Sequence, residues 1–186
     1  LNNSGQMAFA ATLADTQFGS GDNAGAFLVD GVDGTVIQIA RELDPAPDGD
    51  GVFDSFTGSR LGGTIALNDR GHAAFDAMLR GASGGLVKGL FLYAPSTGIL
   101  EIIREGDSLL NSTVADFTFN SGLRNFEGIL SNAGNSFNNL DQVAFSFRLA
   151  DGTRGVAIAS VVPAMLCLWL IVAGPILARF YRFRAL

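Results

Sequence analysis

The sequence predicts an all-β protein built from tandem four-stranded antiparallel sheets, and three observations lead to that prediction. A frame of Asn, two variable residues, Gly, two variable residues and Ala-Phe begins at Asn2 and again at Asn68, and a copy beginning at Asn138 keeps all but the glycine. After each frame, bulky apolar residues alternate with small or polar ones, which is the period of a strand. Turn-rich segments without helical periodicity separate the remaining apolar runs.

Each frame predicts a turn that feeds a strand, because Asn and Gly tolerate the left-handed backbone that tight turns need. In the first copy Met7, Phe9 and Ala11 share a large face, whereas Ala8 and Ala10 share a small one. Large faces can stack on small faces of neighbouring sheets at normal interior density. We expect the three frame phenylalanines to be buried at equivalent places. The residues assigned to the structural repeat motif are Asn2, Gly5, Ala8, Phe9, Asn68, Gly71, Ala74, Phe75, Asn138, Ala144 and Phe145.

The frame divides the chain into repeat 1 (residues 1–66), repeat 2 (67–136), a partial repeat 3 (137–160) and a C-terminal segment (161–186). Four short strands per repeat predict blades like those of a propeller, here partial and open. Because repeat 3 stops after two strands, we expect a free sheet edge beside residues 155–159 and an open stack at the Leu1 end. The chain reads as a fragment of a longer protein.

The charged residues are distributed unequally between the part of the chain up to Val162, which we call the body, and the remaining C-terminal residues, which we call the tail. Up to Val162 there are 9 basic and 18 acidic residues, a formal charge of −9, and the remaining basic residues are Arg179, Arg182 and Arg184. An acidic body argues against nucleic-acid binding, which needs a basic surface. The sequence indicates no cofactor.

The C-terminal segment predicts one transmembrane helix. No charged residue occurs from Val156 to Ala178, and a spanning helix needs about 20 apolar residues. The terminal arginines would mark the cytoplasmic side, with residues 163–183 contacting the membrane and the repeats outside the cytoplasm. A buried core strand or helix is the alternative reading.

Residues suited to chemistry are few. His72, the one histidine, replaces glutamines of the other repeats and is interpreted as a polar strand position. The run Asp48–Asp54 lacks ligands of the EF-hand pattern, which leaves a looser surface calcium site as an alternative. Arg41-Glu42 and Arg104-Glu105 are interpreted as ion pairs within each repeat or as solvated strand ends. Cys167 is predicted to pack as a small apolar residue, so no catalytic residue is assigned.

The repeated frame, together with the Arg-Glu-x-Asp-x-x-Pro element (Arg41, Glu42, Asp44, Pro47), resembles the NxxGxxAF tandem-repeat family of exported bacterial proteins, the choice-of-anchor proteins. Val162-Pro163, the apolar stretch and the terminal arginines resemble a PEP-CTERM sorting signal, although the Glu and second Pro of that signal are absent. This second resemblance implies an exosortase-type sorting enzyme as a partner. A plain membrane anchor is the alternative.

Two hypotheses of function follow. The first is a non-enzymatic surface protein with an adhesion, matrix or envelope role, held or sorted by its C-terminal segment. The second is a carbohydrate- or metabolite-active propeller enzyme, which needs carboxylates that converge on one rim. The loops around Asp48 and Asp107 are the candidates for that rim.

Overall fold

A computed structural model describes residues 1–17, 21–56, 65–119, 136–162, 165–172 and 179–182, and from residue 161 onward it gives the backbone alone. These residues form strands and no α-helix, and every strand pairing is antiparallel, which confirms the all-β prediction. The chain divides into two compact units, Leu1–Arg104 and Glu105–Leu186. The strands are β1 Met7–Thr12, β2 Ala24–Val29, β3 Val36–Arg41, β4 Val52–Ser55, β5 Ile65–Leu67, β6 Ala73–Ala82, β7 Gly85–Ala94, β8 Gly98–Arg104, β9 Ser108–Leu109, β10 Ser112–Phe119, β11 Gln142–Leu149, β12 Arg154–Val162, β13 Met165–Val172 and β14 Arg179–Arg182.

The first unit contains two sheets, and the strands are shared between repeats. Sheet A has the order β1-β2-β3, and sheet B has the order β4-β6-β7-β8 with β5 also paired to β6. Strand β4 is the fourth strand of repeat 1, yet it pairs with the first long strand of repeat 2, with Phe53 opposite Leu79. The expectation that each repeat builds its own four-stranded sheet is therefore wrong. The fourth strand of repeat 1 completes the sheet of repeat 2.

Sheets A and B stack large face on small face, as the alternation predicts. Sheet A contributes small residues such as Ala10 and Ala26, and sheet B contributes Phe53, Phe75 and Phe91 to the same buried cluster. The three rings lie with centroids 5.0–6.3 Å apart, in tilted or edge-on pairs. Such pairs add to the stabilisation that comes from burial alone.

Burial of the frame phenylalanines follows the stacking. Phe75 is 0% exposed and Phe145 is 2% exposed. Phe9 is only half-buried, because it lies on the face of sheet A opposite the core and contacts Phe27 at a centroid distance of 5.8 Å. Equivalent burial is thus confirmed for repeats 2 and 3 and wrong for repeat 1.

The second unit is one sheet with the order β14-β13-β12-β11-β10-β9. Here β10, from the end of repeat 2, pairs with β11 of repeat 3, and Val114 lies opposite Leu149. We call β4 and β10 the exchanged strands, because each pairs with the repeat that follows its own. Each carries a β-bulge directly after the residue opposite a leucine: after Phe53 opposite Leu79, and after Val114 opposite Leu149. The strand exchange between successive repeats is therefore a regular feature of the fold.

Repeat 3 interchanges a large and a small residue across one strand pair. In repeat 2, Ala77 lies opposite Gly89, and Phe91 covers that glycine so closely that an added Cβ would lie 2.5 Å from the ring. In repeat 3, the residue opposite Gly155 is Phe147, and the position of Phe91 is taken by Ala157. The aromatic ring moves to the neighbouring strand, so the local volume is conserved.

The prediction of a C-terminal helix is not supported. The described part of the segment forms β13 and β14, and β13 pairs with β12 from Gly155↔Val172 to Val162↔Met165. The expected free edge beside residues 155–159 is therefore covered. An apolar run of eight residues has the length of a strand, and the unpaired groups of β12 give its backbone hydrogen-bond partners. Within the described ranges the structure has no helix long and apolar enough to cross a membrane.

Candidate functional site

The most regular polar feature of the molecule is the hairpin turn made by the repeat frame. In repeat 2, Asn68 Oδ1 accepts hydrogen bonds of 3.0 Å from the backbone N–H groups of Arg70 and His72. The Asn68 N–H donates to the His72 carbonyl at 3.0 Å, and the Gly71 N–H donates to the Asn68 carbonyl at 3.2 Å. Gly71 has φ of +76°. This is a three-residue hairpin loop with a left-handed residue at its end, which explains why the frame requires Asn and Gly at these positions.

The same bonds recur in the other two copies. Asn2 Oδ1 accepts from the N–H groups of Ser4 and Gln6, and Asn138 Oδ1 accepts from those of Leu140 and Gln142, at 2.9–3.1 Å. Repeat 3 has Asp141 in place of the glycine, with φ of +57°. Asp is among the non-glycine residues that adopt this conformation at modest cost. The departure of the third copy from the frame therefore leaves the turn intact.

Neighbouring turns stack on each other in the first unit. Asn2 Nδ2 donates to the Asn68 carbonyl at 2.9 Å, and Asn3 donates from its backbone N–H and its Nδ2 to the two carboxylate oxygens of Asp69, each at 2.9 Å. A Cβ on Gly71 would lie 2.9 Å from Oε1 of Gln6. The motif glycine therefore serves both the turn conformation and the close approach of the preceding turn.

The alanines of the frame lie on the small faces of their sheets. Ala8 is half-buried at the edge of the core cluster, Ala74 is 0% exposed, and Ala144 is half-buried. At Ala8, a side chain larger than alanine would hold sheets A and B further apart, because interiors are close-packed. The frame alanine of repeat 1 is thus a packing position.

A second polar cluster, which we call the Arg104 clamp, joins the two repeats. The Arg104 guanidinium contacts Asp48 Oδ2 at 3.0 Å and Asp50 Oδ2 at 2.9 Å, with its side chain 18% exposed. Asp50 also accepts from the N–H and Oγ of Ser83 at 3.0–3.2 Å. Arg104 is on β8 of repeat 2 and the aspartates are in the loop before β4 of repeat 1. Arg104 also contacts Glu101 Oε1 of its own repeat at 3.8 Å, so an ion pair within the repeat is present and the clamp adds a second set of contacts across the repeat boundary.

In repeat 1 the equivalent arginine does pair within its own repeat. Arg41 donates from Nη2 to Asp22 Oδ2 at 3.1 Å and from Nε to the Asp22 carbonyl at 2.7 Å. Glu42 Oε2 accepts from the Ala24 N–H at 2.8 Å. For repeat 1 the prediction of an internal pair is confirmed.

The electrostatics of the clamp differ from those of a general acid. The hydrogen bonds from the Ser83 N–H and hydroxyl, followed by the charge of Arg104, hold the pKa of Asp50 below its usual value. A general acid needs the opposite shift. The carboxylates proposed as a loose calcium site contact a guanidinium group. Among the residues that the structure describes, no three or more His, Cys, Asp and Glu side chains are grouped to hold a metal ion.

The remaining candidates lie at turns or in the C-terminal segment. His72 closes the turn of repeat 2 through its backbone N–H and carbonyl. The Asp107 carbonyl accepts from the Val114 N–H at 2.8 Å, at the turn before β9. Of the predicted sorting residues, Val162 ends β12, and the backbones of Arg179 and Arg182 pair with Leu170 and Cys167 in β14 and β13. Pro163 and Arg184 lie outside the described residues.

Sequence reasoning did not single out four of the residues that make these polar contacts. Asn3 and Asp69 follow the frame asparagine directly, so their shared position in the frame was a usable signal. Asp22 and Ser83 lie in loops of unequal length, and no spacing in the sequence relates them to their arginine or aspartate partners.

Comparison with curated proteins and with solved structures gave no match. Residues 1–164 match DUF7453, described as a family of unknown function. The matched region contains all three copies of the frame and both exchanged strands. Since it covers most of the sequence, the chain belongs to the DUF7453 family.

Proposed function

We propose that this chain is a non-enzymatic, exported β-repeat protein of the cell surface, where it serves an adhesion, matrix or envelope role. Its repeats are propeller-like blades that lie outside the cytoplasm, and the segment from Val162 to Arg184 sorts or anchors them. The resemblance to the choice-of-anchor repeats and to PEP-CTERM signals supports this proposal, with an exosortase-type enzyme as the sorting partner.

One structural observation supports a scaffold role above all. Polar side chains hold the repeats together: Asn2 of the repeat motif bonds to repeat 2, and Asp48 and Asp50, from a loop that sequence reasoning offered for chemistry, bind Arg104 across the repeat boundary. Groups committed to such ion pairs are poorly available to a substrate, and the lowered pKa of Asp50 keeps it ionised. An enzyme that uses this rim would have to break the contacts that join its blades.

The C-terminal segment contains the features that support the proposed cellular location. The cluster of Arg179, Arg182 and Arg184 is all the positive charge beyond Val162, in contrast to the acidic body. Clustered arginines next to an apolar stretch mark the cytoplasmic side of membrane segments. We propose that this segment engages the membrane or the sorting enzyme during export, before or instead of pairing as β13 and β14.

The test is the location of the protein in a bacterial host that carries an exosortase, with the chain expressed behind a secretion signal. We expect externally added protease to digest the repeats of intact cells. Changing the three tail arginines to Glu should leave the protein mislocalised. The matched control, Arg148→Glu with Arg154→Glu on the exposed face of the second unit, should keep its location.

Two results would contradict the proposal. The first is a body that remains protected from protease until the cells are lysed. The second is equal location of the tail variant and the control. Hydrolysis of a glycan by the purified chain, lost on Asp48→Asn but not on Asp22→Asn, would favour the enzyme hypothesis instead.

A further inference from the structure

The outer face of sheet A, the face opposite the core, has an apolar composition and an exposure that the rest of the fold does not explain. It consists of Met7, Phe9, Val29, Val36 and the edge of Phe27, in register across the three strands. Met7 is 45% exposed and Val36 is 58% exposed, while Phe9 and Val29 are half-buried. Contiguous apolar surface of this kind marks an interaction site.

The same face in repeat 2 shows what covers it. The residues of sheet B that correspond to Met7, Phe9 and Phe27 are Ala73, Phe75 and Phe91, and each is 0% exposed. They are covered by the alanine-rich small face of sheet A. The interface between sheets A and B would therefore continue, one repeat further, on the outer face of sheet A.

The outer edge of β1 in sheet A differs from the corresponding edges in repeats 2 and 3. In repeats 2 and 3 the outer edge of the first long strand is paired with the fourth strand of the preceding repeat, β4 on β6 and β10 on β11. Among the described residues, no strand lies along the outer edge of β1. Leu13, the counterpart of Leu79 and Leu149, therefore lacks the Phe53 or Val114 that faces those leucines. Exposed edges of this type accept an added strand.

The far end of the repeats excludes simple head-to-tail stacking of identical chains. The small face of β11 and β12 presents Ser146, Arg148 and Arg154 to solvent beside Val156, which is 47% exposed, where the small face of sheet A has alanines. Placing these arginines on Phe9 and Phe27 would bury unpaired charge.

We infer that the outer face and edge of sheet A are a docking surface for another repeat of the same type. That repeat would contribute its alanine-rich small face to Met7, Phe9 and Val36, and its fourth strand, with an apolar residue before a bulge, to the edge of β1 beside Leu13. This inference does not depend on the proposed location or role of the protein.

The test extends the full chain at its N-terminus with a second copy of residues 1–66. Amide hydrogen exchange then reports on β1 in the original sequence. We expect the β1 amides that do not bond β2 to exchange at least about tenfold more slowly in the extended chain. An extension carrying Ala10→Arg and Ala26→Arg should remove that protection, because its small face can no longer pack. The control is an extension carrying Met7→Arg and Val36→Arg, which has the same added charge on the face turned away from the original sequence. This control should keep the protection of β1.

A cross-link makes the test independent of the exchange measurement. Leu13→Cys in the original sequence and Phe53→Cys in the added copy would be register partners, as Leu79 and Phe53 are in sheet B. We expect a disulfide under mild oxidation. Unchanged exchange of β1 without a cross-link would overturn the inference. Two results with the unextended chain would also overturn the inference. These are formation of a dimer, or binding to anionic vesicles, that is abolished by Met7→Arg but not by the control Val32→Arg, which lies off this face.

Discussion

The burial of the frame asparagine should decide how much each copy of the turn contributes to stability. Asn68 is 4% exposed and Asn138 is exposed, yet both side chains accept two backbone N–H groups in the same geometry. Replacing either asparagine with alanine removes the one oxygen, Oδ1, that accepts both of these hydrogen bonds. The backbone carbonyl that accepts from Asn2 is retained in Asn68→Ala, so the change isolates the turn from the stacking of turns.

The magnitudes follow from access to water. A buried N–H group left without an acceptor costs about 1–3 kcal/mol; the two N–H groups bonded to Asn68 are partly buried, so Asn68→Ala should lower the free energy of unfolding by about 2–4 kcal/mol. At Asn138 water replaces the lost acceptor, so that the cost falls to about 1 kcal/mol. Urea denaturation followed by circular dichroism gives the totals. Hydrogen exchange of β6 and β11 assigns each loss to its own unit.

Equal losses of unfolding free energy at the two positions would refute this reasoning, because burial would then have no influence on how much the turn contributes to stability. A loss below about 1 kcal/mol for Asn68→Ala would also refute it, since two partly buried N–H groups should not lose their acceptor at so small a cost.

Three further predictions concern packing and charge. Phe75→Ala should cost about 3–5 kcal/mol by thermal or chemical denaturation, and Phe9→Ala about 1–2 kcal/mol because Phe9 is only half-buried; similar losses would contradict the stacking of sheet A on sheet B. Gly89→Ala should cost about 1–3 kcal/mol, since its Cβ would lie 2.5 Å from the Phe91 ring, and adding Phe91→Leu should recover part of that loss in a double-mutant cycle. The pKa of Asp50 is lowered from 3.8 in the folded protein, so its stabilising contribution is present above pH 3.8 and is lost as the pH falls through the folded pKa. Asp50→Asn should therefore flatten the acid side of the curve of unfolding free energy against pH. An unchanged acid-unfolding profile would show that the clamp contributes nothing to stability.

The repeats and their strands were predictable because the signals are local. The frame asparagine and glycine make a turn through bonds within five residues, and the alternation after it determines which side chains share a face. Even the stacking of Phe75 on Ala10 and Ala26 follows from that alternation.

Strand partnership was not predictable in the same way. Nothing in the residues of β4 indicates whether it pairs with its own repeat or with the next, because both pairings satisfy its backbone and its alternation. Likewise the run Met165–Val172 satisfies the composition of a buried strand and of part of a helix. The Arg104 clamp joins positions 54 and 56 residues apart, and such long-range ion pairs leave no periodic trace in a sequence.

The exchange of the fourth strand has a consequence for how such proteins can change in length. Because each period of the sequence supplies the edge strand for its successor, duplication or deletion of one whole period leaves every first strand that follows another period with a partner, wherever the genetic breakpoints fall within the period. A family built in this way can vary its number of repeats by recombination without creating an unpaired edge at the new junction. Selection would then act on the repeated frame and on the two ends of the array, and the number of periods between them would be free to vary.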